Sequence, residues 1–102
     1  VDASEHQARQ ILSDLRAYEA RAALDDPSRR ELSAILWRIE QFEPTLDRIR
    51  SLPQRHTSDP VQAYCDLLHH RYVASAAAGR DVPNDEAFDA WVAAGQPGYP
   101  LG

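Results

Sequence analysis

The segment from Glu31 to Arg50 carries the most regular hydrophobic pattern in the sequence. Its apolar residues recur three and four positions apart, a spacing that places them on one side of an α-helix. A helix of this kind is not stable alone, because neighbouring helices must cover its apolar side. We therefore expect seven side chains to be buried along one edge of a long helix: Leu32, Ile35, Leu36, Ile39, Phe42, Leu46 and Ile49.

Pro44 lies inside this segment. Proline lacks a backbone N–H and disfavours the helical conformation of the residue before it, at a cost of roughly 3 kcal/mol within a regular helix. Because the apolar spacing keeps its phase across Pro44, a kinked helix is the preferred interpretation. A break, with a new helix starting at Pro44, is the alternative.

A first helix is predicted from Asp2 to about Leu24, with Asp2 as its N-cap. Asp26 and Pro27 then predict the start of a second helix, since Asp suits an N-cap and Pro suits the first helical position. So short a connection predicts an antiparallel hairpin of the first two helices. On the first helix we expect a solvated side that contains Arg9, Asp14, Arg16, Glu19 and Arg21.

The third helix is predicted from Pro60 to about Ala78. Asp59 is its candidate N-cap, and Gly79 is placed to end it in the left-handed conformation. The apolar spacing indicates an inward side made of Val61, Tyr64, Cys65, Leu68, Tyr72 and Ala76.

A short fourth helix is predicted from Asp85 to Ala94, capped by Asn84, with Phe88, Trp91 and Val92 facing inward. The predicted fold class is therefore all-α: an antiparallel helical hairpin, a third long helix and a short C-terminal helix. Residues 1–95 would form one helical domain, followed by an extended or disordered tail at 96–102.

The composition limits the function. A formal net charge of -5 argues against a general nucleic-acid binder, which needs a basic surface. No apolar run approaches the ~20 residues of a membrane-spanning helix. The single cysteine excludes an internal disulfide. We expect a soluble cytoplasmic protein, and because the sequence contains no Met, a chain that is processed or excised from a longer one.

Two pairs of potential metal ligands lie on the third helix. Cys65 and His69 stand four residues apart, as do Asp66 and His70, so each pair could chelate a metal ion. The pairs point about 100° apart on a helix and cannot converge on one ion without another ligand such as His56. A buried Cys65 and a marginal His69 are the simpler interpretation, and no cofactor is expected.

No catalytic signature is present either. A Cys–His nucleophile would have both groups on one continuous helix and no visible oxyanion donor. Arg55, Arg71 and Arg80 could gather around a phosphate or a carboxylate, or could be ordinary surface charge. Trp37 lies about 140° from Leu32 on its helix, so it either packs under the fourth helix or marks a protein contact.

Several residues stand in the order and spacing of a known family. They are Asp59-Pro60, Tyr64, Leu68, His70-Arg71, Ser75 and Ala78-Gly79-Arg80-Asp81-Val82, preceded by Trp37 and Phe42-Glu43-Pro44. In these residues the chain resembles the C-terminal domain of unknown function in bacterial lipopolysaccharide-kinase-like proteins, which are common in actinobacteria. Tyr72 stands where that family has Trp, and Pro83 stands where it has Gly.

The resemblance implies an accessory domain attached to a kinase-like region. It implies no kinase activity for this segment, which contains neither a Gly-rich phosphate loop nor a catalytic Asp motif. His70, Arg71, Arg80 and Asp81 belong to the matching motif. We expect Arg80 and Asp81 to lock the turn after the third helix, and Arg71 to reach an acidic partner.

The function predicted from the sequence is a non-enzymatic helical interaction or accessory domain. It would be a C-terminal module of a larger bacterial protein or a small partner subunit, and would bind a protein partner or a second copy. The alternative is a regulatory domain that binds a metal or small ligand through Cys65, His69, His70 and nearby arginines. The candidate partner-binding residues are Trp37, Arg38, His70, Arg71, Arg80 and Asp81.

Overall fold

A computed structural model describes residues 3–21, 27–55 and 57–98. Its helices are α1 (Ala3–Arg21), α2 (Pro27–Glu31), α3 (Ser33–Trp37), a π-helix (Arg38–Phe42), α4 (Glu43–Arg50), α5 (Pro60–Ala78) and α6 (Asn84–Ala93). These described ranges contain no strand, so the all-α class is confirmed. The chain consists of two compact units, Val1–Ser51 and Leu52–Gly102. That residues 1–95 fold as one domain stays a prediction.

In the first unit, α1 packs against the segment that begins with α3. Ser33 Oγ donates to Glu19 Oε1 at 2.8 Å, and Trp37 Nε1 donates to Asp14 Oδ2 at 2.8 Å. The contacts run in opposite directions along the two helices, which confirms the antiparallel hairpin. The predicted caps at Asp2 and Asp26 lie outside the described residues.

The chain does not leave the helical conformation at Pro44, so a break there is wrong. Glu43 keeps φ -63° and ψ -45°, although a residue before proline disfavours this region. The helix accommodates Pro44 one turn earlier, where the Glu43 N–H bonds to the Arg38 carbonyl five residues back. This wider π turn lies where the ring of Pro44 would meet the Glu40 carbonyl of a regular α-helix.

The predicted apolar edge is not buried along its whole length, and this expectation is wrong. Leu32, Ile35 and Ile39 are 50%, 55% and 63% exposed, whereas Leu46 and Ile49 are buried. A π turn holds about one residue more than an α turn, so later residues are rotated by roughly 100° from their α-helical positions. The two ends of the edge therefore face different directions.

The N-terminal part of this segment buries a polar side instead. Ser33, Trp37 and Gln41, four residues apart, are all buried. They lie on the side that meets α1, away from the predicted apolar edge. Asp14, predicted to lie on the solvated side of α1, is buried as well.

In the second unit, α5 has the predicted bounds. Asp59 Oδ1 accepts a hydrogen bond from the Val61 N–H at 3.0 Å, which confirms the N-cap. Gly79 ends the helix with φ +67°, a conformation that costs glycine least.

The inward side of α5 differs from the prediction. Tyr72 and Ala76 are exposed, because the helix turns Asp66 and Arg71 inward, where both side chains make hydrogen bonds. The buried residues of α5 are Ala63, Tyr64, Cys65, Asp66, Leu67 and Arg71.

Helix α6 packs against α5 and buries Phe88 and Trp91, as predicted. It begins at Asn84, so Pro83 is the N-cap residue and the prediction of an Asn84 cap is wrong. Pro83 has φ -61° and ψ 153°, and its carbonyl accepts the Ala87 N–H at 2.9 Å. An N-cap residue needs this extended conformation and a carbonyl that can accept a helical hydrogen bond, both of which proline provides.

Residues 96–98 follow α6 without helical structure. Trp91 Nε1 donates to the Pro97 carbonyl at 3.1 Å, and Gln96 Nε2 donates to the Gln54 carbonyl at 2.8 Å. The first residues of the predicted tail are thus tied to the second unit. Residues 99–102 lie outside the described ranges.

A matched pair of substitutions tests the divided apolar edge. Ile49→Ala should lower the free energy of unfolding by about 2–4 kcal/mol, because Ile49 is fully buried. Ile39→Ala should change it by less than about 0.5 kcal/mol, because most of the side chain is already in water. Urea denaturation measures both. Equal losses would contradict the division.

Candidate functional site

The Asp14 carboxylate is the centre of a buried polar cluster between α1 and the second helical segment. It accepts hydrogen bonds from Trp37 Nε1 at 2.8 Å and from Gln41 Nε2 at 3.0 and 2.8 Å. A buried carboxylate is costly unless donors replace its water, and here two side chains of the facing segment do so. The cluster fixes which side of that segment meets α1.

Further polar contacts surround this cluster. Arg21 Nη2 donates to Gln41 Oε1 at 3.3 Å, and Tyr18 Oη donates to Glu40 Oε2 at 2.6 Å. Burial raises the pKa of the Tyr18 phenol above its ordinary value of 10.0. The hydrogen bond to Glu40 and the negative charge of Glu40 raise this pKa further, while the charge of Arg29 lowers it.

Trp37 also stacks on Phe42, five residues later, with ring centroids 4.8 Å apart and planes inclined by 22°. Residues five apart point about 140° away from each other on an α-helix, so a regular helix would separate these rings. The π turn brings them together. The indole is therefore held by the Asp14 hydrogen bond at its edge and by Phe42 at its face.

With the polar side turned inward, the opposite side of this segment presents aliphatic residues to water. Leu32, Ile35 and Ile39 lie three and four positions apart, and each is at least half exposed. We call these three residues the exposed stripe. Single exposed apolar residues are ordinary, but a row on one helix face is typical of a contact surface.

In the second unit, Arg71 locks the turn that follows α5. The guanidinium is buried, its Nε donates to the Val82 carbonyl at 2.7 Å, and its Nη2 lies 3.0 Å from Asp81 Oδ1. Ser75 Oγ accepts the Val82 N–H at 3.0 Å. The acidic group that Arg71 reaches therefore belongs to the same chain and the same turn.

Arg80 contacts a different carboxylate. Its Nη2 lies 3.1 and 3.0 Å from the two oxygens of Glu86 on α6, and both side chains are more than half exposed. Exposed ion pairs of this kind contribute little to stability. Arg71 and Asp81, rather than Arg80 and Asp81, make the main lock.

The proposed metal ligands are not brought together. Cys65 is fully buried, and His69 and His70 are half-buried on the same helix. Within the described ranges, no group of three or more His, Cys, Asp or Glu side chains could hold a metal ion. His56 lies outside those ranges.

The six candidate partner-binding residues differ in exposure, and His70 is half-buried. Trp37 and Arg71 are buried, and Trp37 packs in the first unit against α1 and Phe42, whereas it was expected under the fourth helix or at a protein contact. Arg38, Arg80 and Asp81 are exposed. Asp14 and Gln41 were not predicted as site residues. The off-edge position of Trp37 was the available signal, since a buried indole N–H needs an acceptor on a facing helix.

The described residues are thus all-α in both units: the first has helices joined by the Asp14 cluster, and the second has α5 and α6 with the turn that Arg71 locks. The chain belongs to the family described as "Domain of unknown function (DUF4032)", whose profile matches residues 1–95. Comparison with curated proteins and comparison with solved structures each gave no match. Among the described residues, no helix has the length and apolar character needed to span a membrane.

A double-mutant cycle tests the Asp14 cluster. Asp14→Ala should lower the free energy of unfolding by about 2 kcal/mol, because it leaves the buried Trp37 and Gln41 donors without this acceptor. Combined with Trp37→Phe, which removes the N–H donor while keeping an aromatic ring, it should show a coupling of about 1 kcal/mol in urea denaturation. Asp47→Ala, at an exposed position, is the control. Additive losses would contradict the hydrogen bond.

The raised pKa of Tyr18 makes stability depend on alkaline pH. The neutral phenol is favoured in the folded state, so its contribution is complete below pH 10 and is lost as the pH rises through the folded-state value. Tyr18→Phe should remove this component of the alkaline loss of stability. Denaturation midpoints between pH 8 and pH 12, measured on both proteins, check the effect. Identical pH profiles would contradict it.

Proposed function

We propose that this chain is a non-enzymatic protein-interaction domain whose contact surface is the exposed stripe of Leu32, Ile35 and Ile39. The single observation that carries the proposal is the exposure of these three aliphatic side chains on one face of an ordered helical segment. Burying such a row against a partner releases water from apolar surface, which is the main driving force of association.

The cluster behind the stripe supports this role. Asp14, Trp37 and Gln41 hold the segment from its inward side, so the stripe belongs to a fixed surface. A partner binding a preformed surface loses less conformational entropy than one binding a mobile segment. The polar cluster, unlike an apolar one, also sets the rotation of the helix about its axis.

The wider setting follows from the resemblance found in the sequence. We propose an accessory module of a larger bacterial protein, attached to a kinase-like region and located in the cytoplasm. The family match over residues 1–95 supports a domain of unknown function. The structure gives less support to a ligand- or metal-binding role, because Cys65 is buried and both Arg71 and Arg80 face carboxylates of the chain.

Site-specific photo-crosslinking in cells that make the protein tests the contact surface. A benzophenone amino acid replaces Ile35 in one version and the exposed Asp47 in the control. We expect a covalent protein adduct from position 35 and none from position 47, because only the stripe would be in contact. Introducing Ile39→Glu beside the probe should abolish the adduct by burying a charge in the contact.

The adduct is identified by mass spectrometry of the cross-linked peptide. No adduct, equal adducts from both positions, or an adduct that persists with Ile39→Glu would each overturn the proposal. Circular dichroism of the Ile39→Glu protein should match that of the unchanged protein, since position 39 is exposed.

A further inference from the structure

Charges of opposite sign lie beside the exposed stripe on one flank. Glu31 and Arg38 are seven residues apart, close to two helical turns, so they stand on the same side of Ile35. Glu31 is exposed, and the Arg38 side chain is 70% exposed, with a 3.8 Å contact to Glu43. This flank therefore carries a negative charge towards the N-terminal end of the segment and a positive charge towards its C-terminal end.

The other flank is engaged within the chain. Arg29 and Glu40 each stand two residues from Glu31 or Arg38, which places them on the far side of the stripe. Glu40 accepts the Tyr18 hydroxyl, and the charge of Arg29 acts on the same phenol. Arg29 and Glu40 are exposed as well, but they border the Tyr18 phenol of α1, so the flank of Glu31 and Arg38 is the one that lies away from α1.

These charges are self-complementary only when two copies run in opposite directions. A two-fold axis near Ile35 would then place Glu31 of each copy against Arg38 of the other, and Leu32 against Ile39. In a parallel pair, the flank of Glu31 and Arg38 in one copy would instead face the flank of Arg29 and Glu40 in the other. Antiparallel helices also align their macrodipoles favourably.

We propose that the partner on the exposed stripe is a second copy of this chain, packed antiparallel through Leu32, Ile35 and Ile39 and flanked by two Glu31–Arg38 pairs. This deepens the proposed function and rests on it. Three half-exposed aliphatic side chains supply less than the ~800 Å² per partner of a standard stable interface. The dimer is therefore weak and forms reversibly with concentration.

Sedimentation equilibrium of the full chain over a range of concentrations measures the dimer. Ile35→Glu should raise the dissociation constant by more than about tenfold, because it places a charge at the two-fold axis. Tyr72→Glu, at a position that is 69% exposed in the second unit, is the matched control and should leave dimerisation unchanged.

Charge exchange tests the antiparallel direction. Glu31→Arg or Arg38→Glu alone should weaken the dimer about threefold or more, since each makes two like-charge pairs across the axis. The double variant should return the dissociation constant to within about twofold of the original, because the pairs are restored in reverse. In a parallel dimer the double variant would remain as weak as the single ones.

Three results would overturn the proposal: a chain that stays monomeric at all concentrations, a dimer insensitive to Ile35→Glu, or a double variant that does not recover. The failures of the two proposals are distinguishable. A monomeric chain that still gives an Ile39-dependent adduct with a different protein removes the second copy and leaves the interaction domain standing. A monomeric chain with no adduct removes both.

Discussion

The hydrogen bonds to the Asp14 carboxylate decide how the first unit is assembled. A buried carboxylate must exchange its water for donors, and Trp37 and Gln41, one turn apart on the facing segment, provide hydrogen bonds of this kind. Their side of the segment must therefore face α1. Everything on the opposite side, including Ile35, is left outside as a consequence.

This arrangement reverses the ordinary relation between hydrophobic pattern and burial. Apolar area contributes to stability in proportion to the surface removed from water, so a row of aliphatic side chains on a helix would ordinarily be buried. Here an indole stacked on Phe42 supplies the large buried surface, while the carboxylate and the amide satisfy the polar atoms around it. A helix can then expose aliphatic residues without losing its packing.

The sequence predicts those parts of the fold that local chemistry determines. The bounds of α5 follow from Asp59 and Gly79, whose preferences for an N-cap and for positive φ act within one turn. The all-α class follows from composition and periodicity in the same way. Buried Phe88 and Trp91 follow because a short helix has few other apolar residues to turn inward.

The buried polar contacts, in contrast, depend on pairings between residues that are distant in the sequence. Nothing local marks Asp14 as buried, because a charged residue on a helix is ordinarily solvated and its donors lie 23 and 27 positions away. Arg71 is buried for a similar reason, since its acceptors at Asp81 and Val82 are reached only once the turn after α5 is formed. The exposed stripe can therefore be recognised only once it is known that these polar residues are buried.

The π turn at Arg38–Phe42 also affects how sequences of this family should be aligned. Alignment methods usually forbid gaps inside helices, because a lost residue would rotate everything that follows. In this segment the π turn absorbs one surplus residue, so a relative lacking that residue would form a regular helix in which the two ends keep the orientations they have here. A single-residue gap between 38 and 42 would therefore mark the members that keep the residues aligned with Ile35 and Ile49 on different sides without a π turn.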